Sequence, residues 1–208
     1  MAVKTRIDPI TEAVHLSIDM QNIFSRGAVW ETPWMERVLP VIVDIAARYT
    51  VRSVFTRFIT PFSATDRPGR WRRYFERWRC ATRAKLPLSE LELVPALQRF
   101  APPAQIIDKP AYSAFTESSL GSFLLEKGVR TLVVTGSETD VCVLATVLGA
   151  VDRGYRVVIP TDAICSSSDH THDALLTLYR ERYGQQIETT ITETILRNWV
   201  VEDKYKRT

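Results

Sequence analysis

An α/β fold, with a mainly parallel six-stranded sheet between two layers of helices, is predicted from three features of this 208-residue chain. Short apolar runs of strand character alternate with longer segments of helical period, the pattern of a parallel sheet covered on both faces. The length suits one large domain, against about 100–200 residues per domain, so a single domain over residues 1–208 is expected. No period of 20 to 50 residues recurs and no low-complexity tract interrupts the chain, which removes repeat and linker architectures.

The elements follow in order. AVHLSID (13–19) is a short β run, and WMERVLPVIVDIAARY (34–49) has helical periodicity. VRSVFTRF (51–58) is the second strand. Residues 59–88 are rich in Pro, Arg and aromatics and longer than an ordinary connection, so an inserted lid or subunit-interface segment is expected there. SELELVPALQRF (89–100) reads as a helix opened by Ser89, with Glu92 as its capping-box partner. AQIIDK (104–109) is the third strand. A helix over 116–128 starts at Thr116 and stops at Gly128, and RTLVVTG (130–136) is a fourth, more apolar strand. TDVCVLATVLGAVDRG (139–154) is a buried helix, YRVVIPTDA (155–163) the fifth strand, and DHTHDALLTLYRERYG (169–184) another helix. A strand near IETT (187–190) and a helix ending about Trp199 complete the set.

Composition narrows the class of function. Lys and Arg total 27 against 24 Asp and Glu, a net charge of +3, too small to call for a nucleic-acid or membrane partner. No apolar run approaches the roughly 18–20 residues that span a bilayer. MAVKTRIDPITEA lacks the apolar core of a secretory signal, so a cytoplasmic protein is expected. Three cysteines at long spacing, Cys80, Cys142 and Cys165, fit neither a disulfide framework nor a paired zinc site. His170 and His172 stand two apart and so do not share a helix face, which argues against a metal pair. No metal or other cofactor is expected.

In a parallel sheet, ligands sit beyond the carboxyl ends of the strands, so candidates lie at strand ends or just after them. Cys142 falls in the first turn of the helix after the fourth strand, where a helix dipole stabilises a thiolate. The plain alternative is a small buried hydrophobe, the reading given to Cys80 and Cys165. Asp19 ends the first strand and is either a general base or a turn former. Lys109 ends the third, and Pro110 keeps the chain extended after it. A solvated lysine is one reading; a buried ammonium that holds Asp19 and lowers the thiol pKa is the other. Together the three form a coherent nucleophile, base and cation.

DMQN after strand one, KPAYSAF after strand three and TGSETDVCVLATVLGAVDRGYRV across strand four and its helix resemble the isochorismatase-like cysteine hydrolase superfamily, over most of residues 13–200. The resemblance implies Asp19, Lys109 and Cys142 as a catalytic triad. It also implies a cis peptide between Ser137 and Glu138 that turns the Glu138 N–H, with that of Cys142, into an oxyanion hole. The implied reaction is hydrolysis of an amide or carbamoyl-type C–N bond of a small molecule through a thioester, and a homo-oligomer, dimer or tetramer, is implied too. Nicotinamidases carry an Asp-x-His metal motif after strand two where this chain has TRFITP, which counts against metal and against nicotinamide as substrate. Isochorismatases proper cleave a vinyl ether and lack the nucleophilic cysteine, so vinyl-ether hydrolysis is the runner-up. A binding or scaffold protein on the same fold is the rival from another class.

DRPGRWRRYFERWRCATR (66–83) concentrates seven arginines and four large aromatics, and as a helix it sets Trp71, Tyr74, Phe75 and Trp78 on one face. That face packs on the domain or a second subunit, or closes as a lid that brings Trp71 and Tyr74 to the substrate; single-strand nucleic-acid binding is the remaining reading. Arg57 is a candidate to grip a substrate carboxylate, with a surface salt bridge as its alternative. Phe24, Tyr112 and Phe115 are candidates to line the pocket, or core residues.

Overall fold

The computed structural model describes residues 7–200; residues 1–6 and 201–208 of the expected domain lie outside the described residues. Strands β1 (Ala13–Ile18), β2 (Ser53–Phe58), β3 (Gln105–Lys109), β4 (Thr131–Ser137), β5 (Arg156–Pro160), β6 (Ile164–Cys165) and β7 (Ile187–Thr190) form one sheet. Its order is β3-β2-β1-β4-β5-β7, with β6 on β4, and every pairing is parallel. The sheet has seven strands where the pattern predicts six. The extra one, β6, is two residues long where the chain leaving β5 swings back beside the end of β4, too short to carry a period of its own.

Side chains alternate across the strands, and each face has its own helices. Val54, Leu132 and Val134 turn to a core shared with α4 (Leu120–Glu126), α5 (Leu144–Val151) and α6 (Asp169–Arg182). Phe55 on the opposite face meets Val38 and Ile42 of α1 (Met35–Arg48). Val133 and Val158 meet Ile45 of α1 and Ile195 of α7 (Thr192–Asn198). This is the three-layer arrangement the alternation predicts. Between β1 and β4 the strand order reverses direction, which opens a crevice at the carboxyl end of the sheet.

The connections differ from the prediction in three places. Residues 89–100 are not one helix: a 3-10 turn over Leu88–Leu91 is followed by a four-residue helix, α3 (Pro95–Gln98), which Pro95 opens. Glu92 does not cap Ser89; its carboxylate pairs with Arg57 at 2.5 Å. The helix expected over 116–128 begins only at Leu120, and the one expected over 139–154 opens as a π turn over Thr139–Val143 before α5 begins. Within 59–88, the arginine-rich stretch is helical as α2 (Gly69–Arg77).

Gly136 fixes how closely β1 and β4 approach at the crevice. It pairs with Ile18, has φ +106°, and a Cβ there would lie 2.1 Å from the Ile18 carbonyl oxygen. Only glycine fits both the space and the backbone angle.

Candidate active site

Each of the three polar side chains at the crevice is delivered by a different strand end. Asp19 follows β1 with φ +48°, a left-handed conformation that aspartate tolerates better than most residues. Its backbone N–H donates to the Thr56 hydroxyl at 3.1 Å, and that hydroxyl donates to Asp19 Oδ1 at 2.6 Å. The other oxygen, Oδ2, forms a 2.7 Å ion pair with Lys109 Nζ. Both side chains are fully buried.

Lys109 ends β3 and turns its ammonium inward. Nζ also donates to the carbonyls of Ala111 and Tyr112, each at 2.9 Å, and lies 5.0 Å from the centre of the Phe58 ring. Burial alone lowers a lysine pKa, but Asp19 and the Cys142 sulfur outweigh it and raise this one. Lys109 is therefore a fixed cation and not a proton acceptor.

Cys142 is the fourth residue of the π turn after β4, and its side chain meets both Asp19 and Lys109. Burial pushes its thiol pKa strongly up, Lys109 pulls it down, and Asp19 pushes it further up. The sulfur thus sits buried against both members of the Asp19–Lys109 pair. The turn is braced by Asp140, whose two oxygens each accept a 2.5 Å hydrogen bond, from Ser166 and from Thr171, and by a 2.9 Å bond between Thr139 and His172. The peptide between Ser137 and Glu138 is cis, and the Glu138 carbonyl accepts from the N–H groups of Val141 and Val143 on either side of Cys142.

The sulfur opens onto a cavity of about 450 Å³ lined by Phe24, Trp30, Phe58, Tyr74, Trp78 and Tyr112, with Val29, Val141, Glu31 and Glu138. Tyr74 and Trp78 come from α2 and its carboxyl end, so the arginine-rich segment forms one wall of the cavity with its aromatic face while Arg70, Arg72, Arg73 and Arg77 point to solvent. Phe75 anchors that wall in the interior.

Three expected lining residues are placed elsewhere. Arg57 is held by both oxygens of Asp108, at 2.7 and 2.9 Å, and by Glu92; it sits between Thr56 and Phe58 on β2, so strand alternation turns it away from the face that Phe58 lines. Phe115 is half-buried and stacks on Tyr155 with Arg153 over its ring, against the core beside α5. Trp71 packs behind the wall on Tyr112, Phe58 and Phe75, and steadies the residues that do line the cavity. Phe24, Tyr74 and Tyr112 are in the lining as expected.

Sequence reasoning passed over Gln21, Thr56, Trp30 and the Glu138 carboxylate. The Gln21 amide donates to the carbonyls of Phe58 (3.2 Å) and Leu91 (2.7 Å) and accepts from the Phe58 N–H (2.7 Å), which locks the loop after β1 to the end of β2. Of the other two cysteines, Cys165 fits the expected buried, structural role, with burial pushing its thiol up to about 12, whereas Cys80 does not: it is exposed, because the 3-10 turn after α2 carries it to the surface. His15 is a core histidine under the site, bonded to Ser53 (3.2 Å) and Thr135 (2.9 Å) and held by burial at a pKa of about 3.

Comparison with known proteins places this geometry in a family. Nicotinamidase 3 of Arabidopsis thaliana is 33% identical over 168 residues, covering 79% of this chain and 78% of that protein. A probable inactive nicotinamidase of the same plant is 30% identical over 165 residues, covering 76% and 83%. Among solved structures, a cysteine hydrolase from Pseudomonas syringae pv. phaseolicola 1448A superimposes with a TM-score of 0.77 at 23% identity, covering 95% of this chain and 98% of that one, a likeness of fold. The isochorismatase domain model matches residues 13–191, and the chain belongs to the isochorismatase family.

Proposed function

We propose that the protein is a cysteine hydrolase that cleaves a C–N bond, amide or carbamoyl-type, of a small molecule, with Cys142 as nucleophile, Asp19 as acid and base, and Lys109 as the fixed cation between them. The single observation that carries this reading is the buried contact of the Cys142 side chain with the ion-paired Asp19 and Lys109 at the floor of a cavity. A relative named as a nicotinamidase supports amide hydrolysis as the class.

Asp19 takes the thiol proton as Cys142 Sγ bonds to the carbonyl carbon. The N–H groups of Glu138 and Cys142 receive the oxyanion, a role supported by both residues lining the same cavity. The C–N bond breaks, Asp19 returns the proton to the leaving nitrogen, and ammonia or an amine departs. Water then attacks the thioester with Asp19 as base; the acid leaves and the thiol regains its proton. Lys109 holds Asp19 in place, since its other two protons are bound to backbone carbonyls. A second reading, vinyl-ether hydrolysis, has no use for the Cys142 thiol. The α2 segment forms one wall of the site.

The test is ammonia release from a panel of primary amides by wild-type protein and Cys142→Ala. Turnover by the wild type alone supports the reading; equal turnover by the variant overturns it, and so does pyruvate release from a vinyl ether with no amide turned over.

A further inference from the structure

Six aromatic residues line the cavity, and its polar lining residues are Tyr74, Tyr112, Glu31, Glu138, Cys142 and Ser167; the Trp30 indole N–H is buried. Among the described residues no arginine or lysine is in the lining. Lys109 lies beneath the floor, its charge matched by Asp19 and its protons bound. Arg57, the basic residue best placed in sequence to meet a carboxylate, is committed to Asp108 and Glu92.

We propose that the substrate carries a cationic nitrogen group on the part distal to the scissile carbonyl, and that amides bearing a carboxylate there are rejected. This deepens the hydrolase reading and rests on it. Aromatic faces present negative quadrupoles, and several around one cavity are the usual cage for an alkylated ammonium. Trp30 ties these rings into one wall bordering the cavity: it packs 5.9 Å from Phe24, 5.9 Å from Phe58, 6.2 Å from Tyr74 and 6.1 Å from Trp78. The two carboxylates add net negative charge. Glu138 is half-buried and fixed by the Ser167 N–H at 3.1 Å, so solvent screens it less than the exposed Glu31, which accepts from the Gly27 N–H at 3.0 Å. Burial chiefly raises the Tyr74 and Tyr112 hydroxyls; Cys142 and then Glu138 add to this in both, while the Tyr74 contact and Lys109 pull Tyr112 down. A volume of about 450 Å³ holds a small amide with such a group. An anionic distal group would be desolvated there with no cation to meet it.

Two readouts test this. The first is kcat/KM for trimethylammonioacetamide, its neutral tert-butyl isostere 3,3-dimethylbutanamide, and anionic succinamate. The expected order is cation over isostere by about tenfold, the scale of a desolvated cation–π contact, with the anion lowest. The second needs no turnover: site-resolved labelling of Cys142 by trimethylammonioethyl and sulfonatoethyl methanethiosulfonate, each rate divided by that of a free small-molecule thiol. The cationic reagent should be favoured at least about tenfold, and Glu138→Gln with Glu31→Gln should shrink that preference severalfold. Cationic preference in labelling with no amide hydrolysed supports the charge assignment and removes the hydrolase reading. Equal labelling by the two reagents, anionic preference, or an isostere turned over as well as the cation overturns the proposal.

Discussion

The Lys109 ammonium lies 2.7 Å from the Asp19 carboxylate, with both side chains sealed from solvent. A charge so placed depends on its partner: desolvating one ion costs several kcal/mol unless the other answers it. The pair thus couples the integrity of the floor to the chemistry assigned to it.

Replacing Lys109 by Met leaves Asp19 as a buried carboxylate without its cation. The expected loss is about 3–5 kcal/mol in urea unfolding, and Asp19→Asn combined with Lys109→Met should regain at least half of it. A single variant within about 1 kcal/mol of wild type would contradict the ion pair as drawn.

His15 makes stability depend on pH independently of the site. Its folded pKa, about 3, lies below the ordinary 6.5, so between those values the unfolded chain binds more protons and stability falls as pH falls. The expected contribution is a loss of about 2 kcal/mol between pH 7 and pH 5. Since carboxylates titrate in the lower part of this window too, the check is the difference in slope of unfolding free energy against pH between wild type and His15→Gln. Parallel slopes would place the histidine outside this role.

Gly136→Ala should fail at the β1–β4 seam. The added methyl meets the Ile18 carbonyl at 2.1 Å and the backbone angle is one an alanine resists, so a loss above about 4 kcal/mol, or no soluble protein, is expected. Glycine at 149 is a useful contrast, since a methyl there meets side chains at 3.1 Å that can shift. Gly149→Ala should cost far less by the same measure, and equal losses would contradict the packing argument.

Arg57→Ala tests a correction to the sequence reading. With its guanidinium bound to Asp108 and Glu92 on the side away from the cavity, kcat/KM should stay within about twofold while stability falls by roughly 1 kcal/mol, the scale of a partly exposed ion pair. A large rise in KM would return Arg57 to the substrate.

Much of the site was legible because strand ends are marked in the sequence. Asp19, Lys109 and Cys142 each stand where an apolar run stops or a helix begins, and the parallel order brings those stops together. Arg57 and Phe58 are neighbours on a strand and face opposite ways, so only one of them can reach the cavity. Gln21 is a different case, because its value lies in bonds to residues 37 and 70 positions away, which no local pattern announces. Trp30, at the centre of the aromatic wall, comes from an irregular loop that has no period to read. The helix expected over 89–100 broke because Leu91 and Leu93 bury themselves under the site and the Gln21 backbone bridges Leu93, a tertiary demand stronger than local propensity.

The central claim is that Cys142 carries the acyl group, and the most direct measurement is acid-quenched mass spectrometry of the protein during turnover of an amide, with hydroxylamine as a competing acceptor. The account predicts an acyl adduct confined to the peptide bearing Cys142, hydroxamate formed at the expense of acid, and loss of both in Cys142→Ala. Hydrolysis that persists in that variant, or turnover with Cys142 unmodified and no hydroxamate, would contradict it.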